Sequence, residues 1–191
     1  MWLALMCAAP VQAQPVASFE PHGHVSVYRG ANVTDRLMDI LRSLNPEFRD
    51  SQLHALQFGY AYLRTPNVRW ELEGQLVRHS GMQDHWESNA VVVARWMHFP
   101  WDHRLDTRFA FGQGLSYAWQ VPELEPRGDD PGEGRSNRLL NYLLVELEFV
   151  LPQRPEWSAY TRIHHRSGVN GLFGGIQGGS NFVGLGLRYT F

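Results

Sequence analysis

Residues 180–191 read SNFVGLGLRYTF. Val183, Leu185, Leu187, Tyr189 and Phe191 take alternate positions, with Ser180, Gly184, Gly186, Arg188 and Thr190 on the opposite face. A period of two is that of a β-strand, so one face is apolar and the other is small or charged. The fold depends on where the apolar face is turned. A soluble sandwich buries it. A membrane barrel turns it outward to lipid and fills a narrow lumen with small and charged groups. The terminal Phe191, with apolar residues at alternate positions before it, has the form of the C-terminal signature read by the outer-membrane assembly machinery, which favours the barrel.

The same rhythm runs back through the chain. It appears in 53–63 (LHALQFGYAYL), 67–79 (NVRWELEGQLVRH), 88–99 (SNAVVVARWMHF), 105–119 (LDTRFAFGQGLSYAW), 138–151 (RLLNYLLVELEFVL) and 156–167 (EWSAYTRIHHRS). Each is about the length of a tilted barrel-spanning strand. A further segment at 22–29, HGHVSVYR, brings the number to the even count expected of a small bacterial barrel. The aromatics Trp101, Tyr117, Trp119, Trp157 and Phe191 fall near strand ends, where interfacial girdles sit. The expectation is an all-β, eight-stranded antiparallel transmembrane β-barrel with one short helix near the N-terminal region. The helix is expected over 33–45, where Val33, Leu37, Ile40, Leu41 and Leu44 recur at helical spacing, with Thr34 or Asp35 as cap and Pro46 beyond the end.

The first residues, MWLALMCAAPVQAQP, combine an apolar stretch with a small-x-small site at Val11-Gln12-Ala13. Residues 1–13 are expected to be a secretory signal peptide without its basic region, and 14–191 the barrel. Cys7, the single cysteine, lies in that leader, so the mature chain would carry no disulfide, which agrees with export to an oxidising compartment. A formal net charge of -2 gives no bulk attraction to nucleic acid, and none is expected as a partner.

Most of the charge has a structural reading. Glu71, Glu73, Glu146 and Glu148 share the inward side with Arg95, Arg108, Arg162 and Arg188, and buried opposite charges satisfy one another. The stretch RHSGMQDHWESN holds His79, Asp84, His85 and Glu87. These types can ligate a metal, but the spacing fits no defined ligand pattern and a turn between strands explains them. No metal or cofactor is expected. The loop 121–137, VPELEPRGDDPGEGRSN, reads as a long extracellular connection and is assigned no chemistry.

Residues 164–167, His-His-Arg-Ser, resist that reading. Alternation puts Tyr160, Arg162, His164 and Arg166 inward, and Trp157, Thr161, Ile163, His165 and Ser167 outward. Two residues apart on one face, the Cβ atoms of His165 and Ser167 lie about 6–7 Å apart, within reach of a base and a nucleophile. Lumen packing does not explain an outward pair. Asn181 comes to the same face on the next strand, and the glycine-rich hairpin Gly168–Gly179 offers backbone N–H groups to an oxyanion. An ordinary polar rim is the competing explanation.

An eight-stranded barrel with His-x-Ser at the end of its penultimate strand resembles the lipid A 3-O-deacylase (PagL) family. Members carry a serine hydrolase triad on the outside of the barrel, at the outer leaflet, and cleave the ester-linked acyl chain at position 3 of lipid A. The resemblance implies Ser167 as nucleophile and His165 as general base. The family's third member is a glutamate early in the last strand, and this chain has Asn181 there. An asparagine can orient an imidazole but cannot stabilise imidazolium by charge. The family usually has asparagine after the serine, where this chain has Gly168. Gly168 and Asn170 are candidate oxyanion donors.

The expected function is therefore an outer-membrane lipid esterase with its site at the outer leaflet. Lipid A, lipopolysaccharide or another acylated lipid would be the partner, and the barrel a monomer or homodimer. The alternatives are a non-catalytic barrel of the same fold, structural or lipid-binding, and a soluble exported sandwich or lipocalin-like binder.

Overall fold

A computed structural model of the protein describes residues 21–43, 45–125 and 136–191. The expected leader and most of the 121–137 loop lie outside the described residues. The strands are β1 (His22–Val33), β2 (Phe48–Arg64), β3 (Val68–Gly81), β4 (Trp86–Trp96), β5 (Thr107–Ala118), β6 (Leu139–Leu151), β7 (Arg154–Ser167) and β8 (Gly179–Thr190), with the helix α1 (Leu37–Ser43) between β1 and β2. Each strand pairs antiparallel with the next, and β8 closes on β1 from His24↔Thr190 to Val33↔Asn181. Closure leaves no free edge, so every strand has a hydrogen-bonding neighbour on both sides. The end bearing the β1–β2, β3–β4, β5–β6 and β7–β8 connections is termed the upper rim.

Burial follows the sequence alternation with the barrel polarity. Phe58, Leu72, Phe109, Phe111, Leu115, Leu185 and Leu187 project outward, while Glu71, Arg95, Glu146, Glu148, Arg162 and Arg188 are buried inside. A water-soluble barrel would show the reverse. The outward band is flanked by aromatics. At the upper rim the rings of Trp86 and Trp119 lie 6.3 Å apart, and at the lower rim Trp157 and Tyr189 lie 5.0 Å apart.

The lower lumen is a continuous ion network. Arg95 donates to Glu71 (2.9 Å), Glu146 (2.6 Å) and Glu148 (2.7 Å). Arg162 joins Glu73 (2.7 Å) to Glu146 (2.5 Å), and Arg188 joins Glu146 to Glu148 at 2.8 Å each. Each carboxylate has more than one cation, which lets charges without solvent persist. The expected pairing is present, with Arg69 added through Glu71. Against it, Tyr28, Leu53, Ala55, Val77, Tyr160 and Phe182 form an apolar cluster, in which the Tyr160 ring lies over Arg162 and Arg188.

Local extents differ from the sequence reading. β1 runs on to Val33 and β2 begins at Phe48, because strand pairing supplies partners where alternation has faded. The helix is correspondingly shorter than 33–45, and Val33 belongs to β1. Thr34 and Asp35 do not cap it. Thr34 Oγ1 donates to the Glu47 carboxylate (3.0 Å), and Asp35 accepts from the Glu47 N–H (2.7 Å), so both tie the two ends of the loop together. Ile40 anchors the helix by burying its side chain, while Met38 and Leu41 stay exposed.

Candidate active site

Antiparallel register brings the site together. His165 on β7 lies directly across from Asn181 on β8, and Ser167 lies across from Gly179. On the other side, β6 sets Leu143 beside His165 and Asn141 beside Ser167. All of these except Gly179, which has no side chain, belong to outward-facing positions near the upper rim. His165, Ser167, Asn170 and Asn181 line one groove of about 950 Å³.

The hydrogen bonds around Asn181 determine what His165 can do. His165 Nδ1 and Asn181 Oδ1 are 2.6 Å apart. The Asn181 amide is oriented independently, because its Nδ2 donates to the Asp35 carbonyl at 2.8 Å. A carbonyl can only accept, so Nδ2 must face Asp35 and Oδ1 must face the imidazole. His165 therefore carries its proton on Nδ1. Nε2 is left with the lone pair, the state a general base requires. Asn32 adds a bond from its Nδ2 to the Asn181 carbonyl at 3.1 Å, holding the backbone at the same point.

The β7–β8 hairpin shapes the other wall. Val169 and Asn170 have φ of 49° and 52°, in the left-handed region, which turns the chain sharply after Ser167. The Gly168 N–H, expected to be open to an oxyanion, donates to the Gly178 carbonyl at 3.2 Å and is spent within the hairpin. A Cβ at position 168 would collide with the Ile176 carbonyl oxygen, which explains glycine there. Asn170 lines the same groove as Ser167. Leu115, Leu143, Leu172 and Phe173 give the groove an apolar lining, and Arg36 and Leu37 from the β1–β2 connection line it as well.

Behind the site, on the lumenal side of the same strands, Arg166 pairs with Glu125, which also accepts from Ser180 (3.1 Å). Burial raises the Glu125 carboxyl above the ordinary range, against the opposing pull of Arg166. The polar β5–β6 loop, to which no chemistry was assigned, thus supplies a plug under β7 and β8.

The sequence reading did not find Asp35, Asn32, Asn141 or Arg36 at the site. Their contribution comes from register and loop docking, and neither leaves a periodic signal. Of the metal-ligating types in RHSGMQDHWESN, Asp84 is exposed and pairs with Arg78. His79 and Glu87 point into the lumen and meet His164 there.

No protein-family model matches the chain, and no curated protein matches it in sequence. Among solved structures it is similar to the outer membrane enzyme PagL, at 13% identity and a TM-score of 0.53, over 87% of this chain and 98% of that one. It is also similar to Neisserial surface protein A (NspA), at 12% identity, a TM-score of 0.47 and 90% and 96% coverage. The outer membrane protein AlkL matches at 12% identity, a TM-score of 0.42 and 97% coverage of both chains. At these identities the likeness is one of fold: the chain has the closed eight-stranded architecture of outer-membrane barrels.

Proposed function

We propose that the protein is a lipid esterase of the bacterial outer membrane that removes an ester-linked acyl chain from lipid A or a similar acylated lipid of the outer leaflet. The observation that carries this reading is the Asp35–Asn181–His165 chain of hydrogen bonds, which holds an outward-facing imidazole in the tautomer of a general base beside a serine. Ser167 Oγ attacks the ester carbonyl while His165 Nε2 takes its proton. Collapse of the tetrahedral adduct expels the lipid hydroxyl, protonated by His165, and leaves the acyl group on Ser167. Water, deprotonated by the same imidazole, hydrolyses the acyl-enzyme and restores the serine. Asn170, which lines the same groove, is the proposed oxyanion donor. An acyl chain already in the bilayer needs only to slide along the groove's apolar lining, which suits a site on the outside of the barrel.

The test is mass spectrometry of lipid A from a host that carries the wild type or Ser167→Ala. The wild type should remove one acyl chain and the variant none. An unchanged spectrum with folded wild-type protein in the outer membrane rejects lipid A as substrate.

One observation favours a second reading, a non-catalytic barrel that binds lipid in the same groove. Asn181 brings no charge to stabilise imidazolium, so the site lacks one contribution that an acid would make.

A further inference from the structure

The upper lumen holds a cluster that the esterase reading does not use. His79 from β3, Glu87 from β4 and His164 from β7 converge there, with one ligating atom from each within 4.8 Å of the others. All three are buried, His164 and Glu87 completely.

The histidines are aimed by partners behind them. Tyr142 OH contacts His164 Nδ1 at 3.3 Å, and the Gln83 amide contacts His79 Nδ1 at 3.1 Å. Both Nε2 atoms then face the same carboxylate at 3.0 Å, His79 against Oε2 and His164 against Oε1. Such anchoring from the far nitrogen is how metal-ligating imidazoles are usually held.

A purely hydrogen-bonded triad does not account for the geometry. The His79 contact is aligned as a hydrogen bond. The His164 contact, at the same length, is poorly aligned, so His164 Nε2 and Glu87 Oε1 face each other without a well-formed hydrogen bond. Gln83 Oε1 and His85 Nε2 are buried without one as well. Four of the seven such atoms among the described residues thus belong to this cluster and its two neighbours. Orphaned buried polar atoms cost about 1–3 kcal/mol each, and a cation between the three side chains would engage the two that face each other in poor alignment. A cation satisfies lone pairs that converge on a point, which N–H···O alignment does not. Rotating the Gln83 amide by 180° lets its Oε1 accept from His79 Nδ1–H and frees His79 Nε2 to ligate. His85 stacks on His79 with ring centroids 4.2 Å apart, bringing a third imidazole alongside.

We propose that His79, Glu87 and His164 bind one divalent transition-metal ion, with zinc the best match to two imidazoles and a carboxylate. The nearby Arg166 guanidinium, 3.7 Å from Glu87, does not oppose this, because its charge is balanced by Glu125. The ion would tie β3 and β4 to β7 across the lumen, one residue from His165, and act as a structural clamp. Sequence spacing gave no hint of it, because His164 arrives from the far side of the barrel.

The test uses the full-length barrel refolded in detergent, stripped with chelator and then dialysed against Zn²⁺ or Co²⁺. One equivalent of zinc, Co²⁺ d–d bands of low-symmetry coordination and a raised unfolding temperature are expected. His164→Asn and Glu87→Gln should bind at least about tenfold more weakly, whereas the exposed-loop variant His103→Ala should match wild type. Folding of each variant is checked by heat-modifiable gel mobility. If the variants do not fold, Cu²⁺ resonance spectroscopy on wild type decides the matter, with couplings to two or more nitrogens expected. Sub-stoichiometric zinc in wild type, equal binding by His164→Asn, or copper coupled to fewer than two nitrogens overturns the proposal.

Discussion

In an Asn181→Asp variant the group 2.6 Å from His165 Nδ1 gains a full negative charge with almost no change of shape. In the proposed mechanism His165 becomes imidazolium during attack. With charge centres about 4 Å apart and an effective dielectric constant near 20, the added attraction is about 4 kcal/mol. The groove is open to solvent on one side, which reduces the gain to roughly 1.5–3 kcal/mol, or about 10- to 100-fold in kcat/KM. The same change replaces the 2.8 Å bond from Asn181 Nδ2 to the Asp35 carbonyl by two facing oxygens. That repulsion is present before and during reaction, so it lowers stability, by about 1–3 kcal/mol, without slowing the chemistry. The variant should therefore be faster and less stable at once. The stabilised imidazolium also means a raised base pKa, so the acid limb of the rate profile should move up by about 1–2 pH units. Initial rates on a chromogenic medium-chain ester in mixed micelles measure the first effect, and urea midpoints the second. A folded Asn181→Asp barrel that hydrolyses the ester no faster than wild type, with an unmoved acid limb, would refute the assignment of His165 as base and Asn181 as its orienting partner.

Gly168→Ala should force the β7–β8 hairpin apart at the Ile176 carbonyl, abolishing ester hydrolysis while the barrel still shows heat-modifiable mobility. Glu146→Ala removes one carboxylate from each of Arg95, Arg162 and Arg188, all fully buried, and should cost about 3–5 kcal/mol in denaturant titrations, whereas replacement of half-buried Glu156 at the lower rim should cost under about 1 kcal/mol. At the lower rim the backbone N–H groups of Phe99 (2.7 Å) and Thr107 (3.2 Å) hold Asp102 below the usual carboxylate range. The carboxylate is thus favoured by folding, so its contribution is complete above the unfolded value of about 3.9 and lost as pH falls through the folded value. Wild type should be more stable than Asp102→Asn at pH 6, and the difference should shrink on acidification.

The barrel was legible because its physics repeats. Leu143, Val145 and Leu147 against Glu146 and Glu148 state in one segment which side meets lipid, and closure imposes the same rule on every strand. The outward placement of His165, Ser167 and Asn181 followed from counting by twos. What alternation does not encode is register and loop docking. The Asp35 carbonyl orients Asn181 from 146 residues away, through a backbone atom that every residue type possesses. Glu125 looked like one more acid in a polar loop until Arg166 and Ser180 were seen to receive it. His164 was assigned to the lumen by its parity, but its meeting with His79 and Glu87 depends on curvature around the barrel. The helix was overestimated because Val33 fits helical spacing as well as it fits the strand that claims it.

The tether between Asp35 and Asn181 gives the β1–β2 loop authority over proton location. If the loop lifts, the Asn181 amide loses the acceptor that fixes it and can turn over, presenting Nδ2 to the imidazole. His165 then moves its proton to Nε2 and becomes a donor there. Without displacing a single reacting group, the same three side chains would exchange a basic nitrogen for an inert one. In the proposed mechanism the burial of Ile40, which seats the helix that follows Asp35, is thereby tied to the basicity of a nitrogen on another strand.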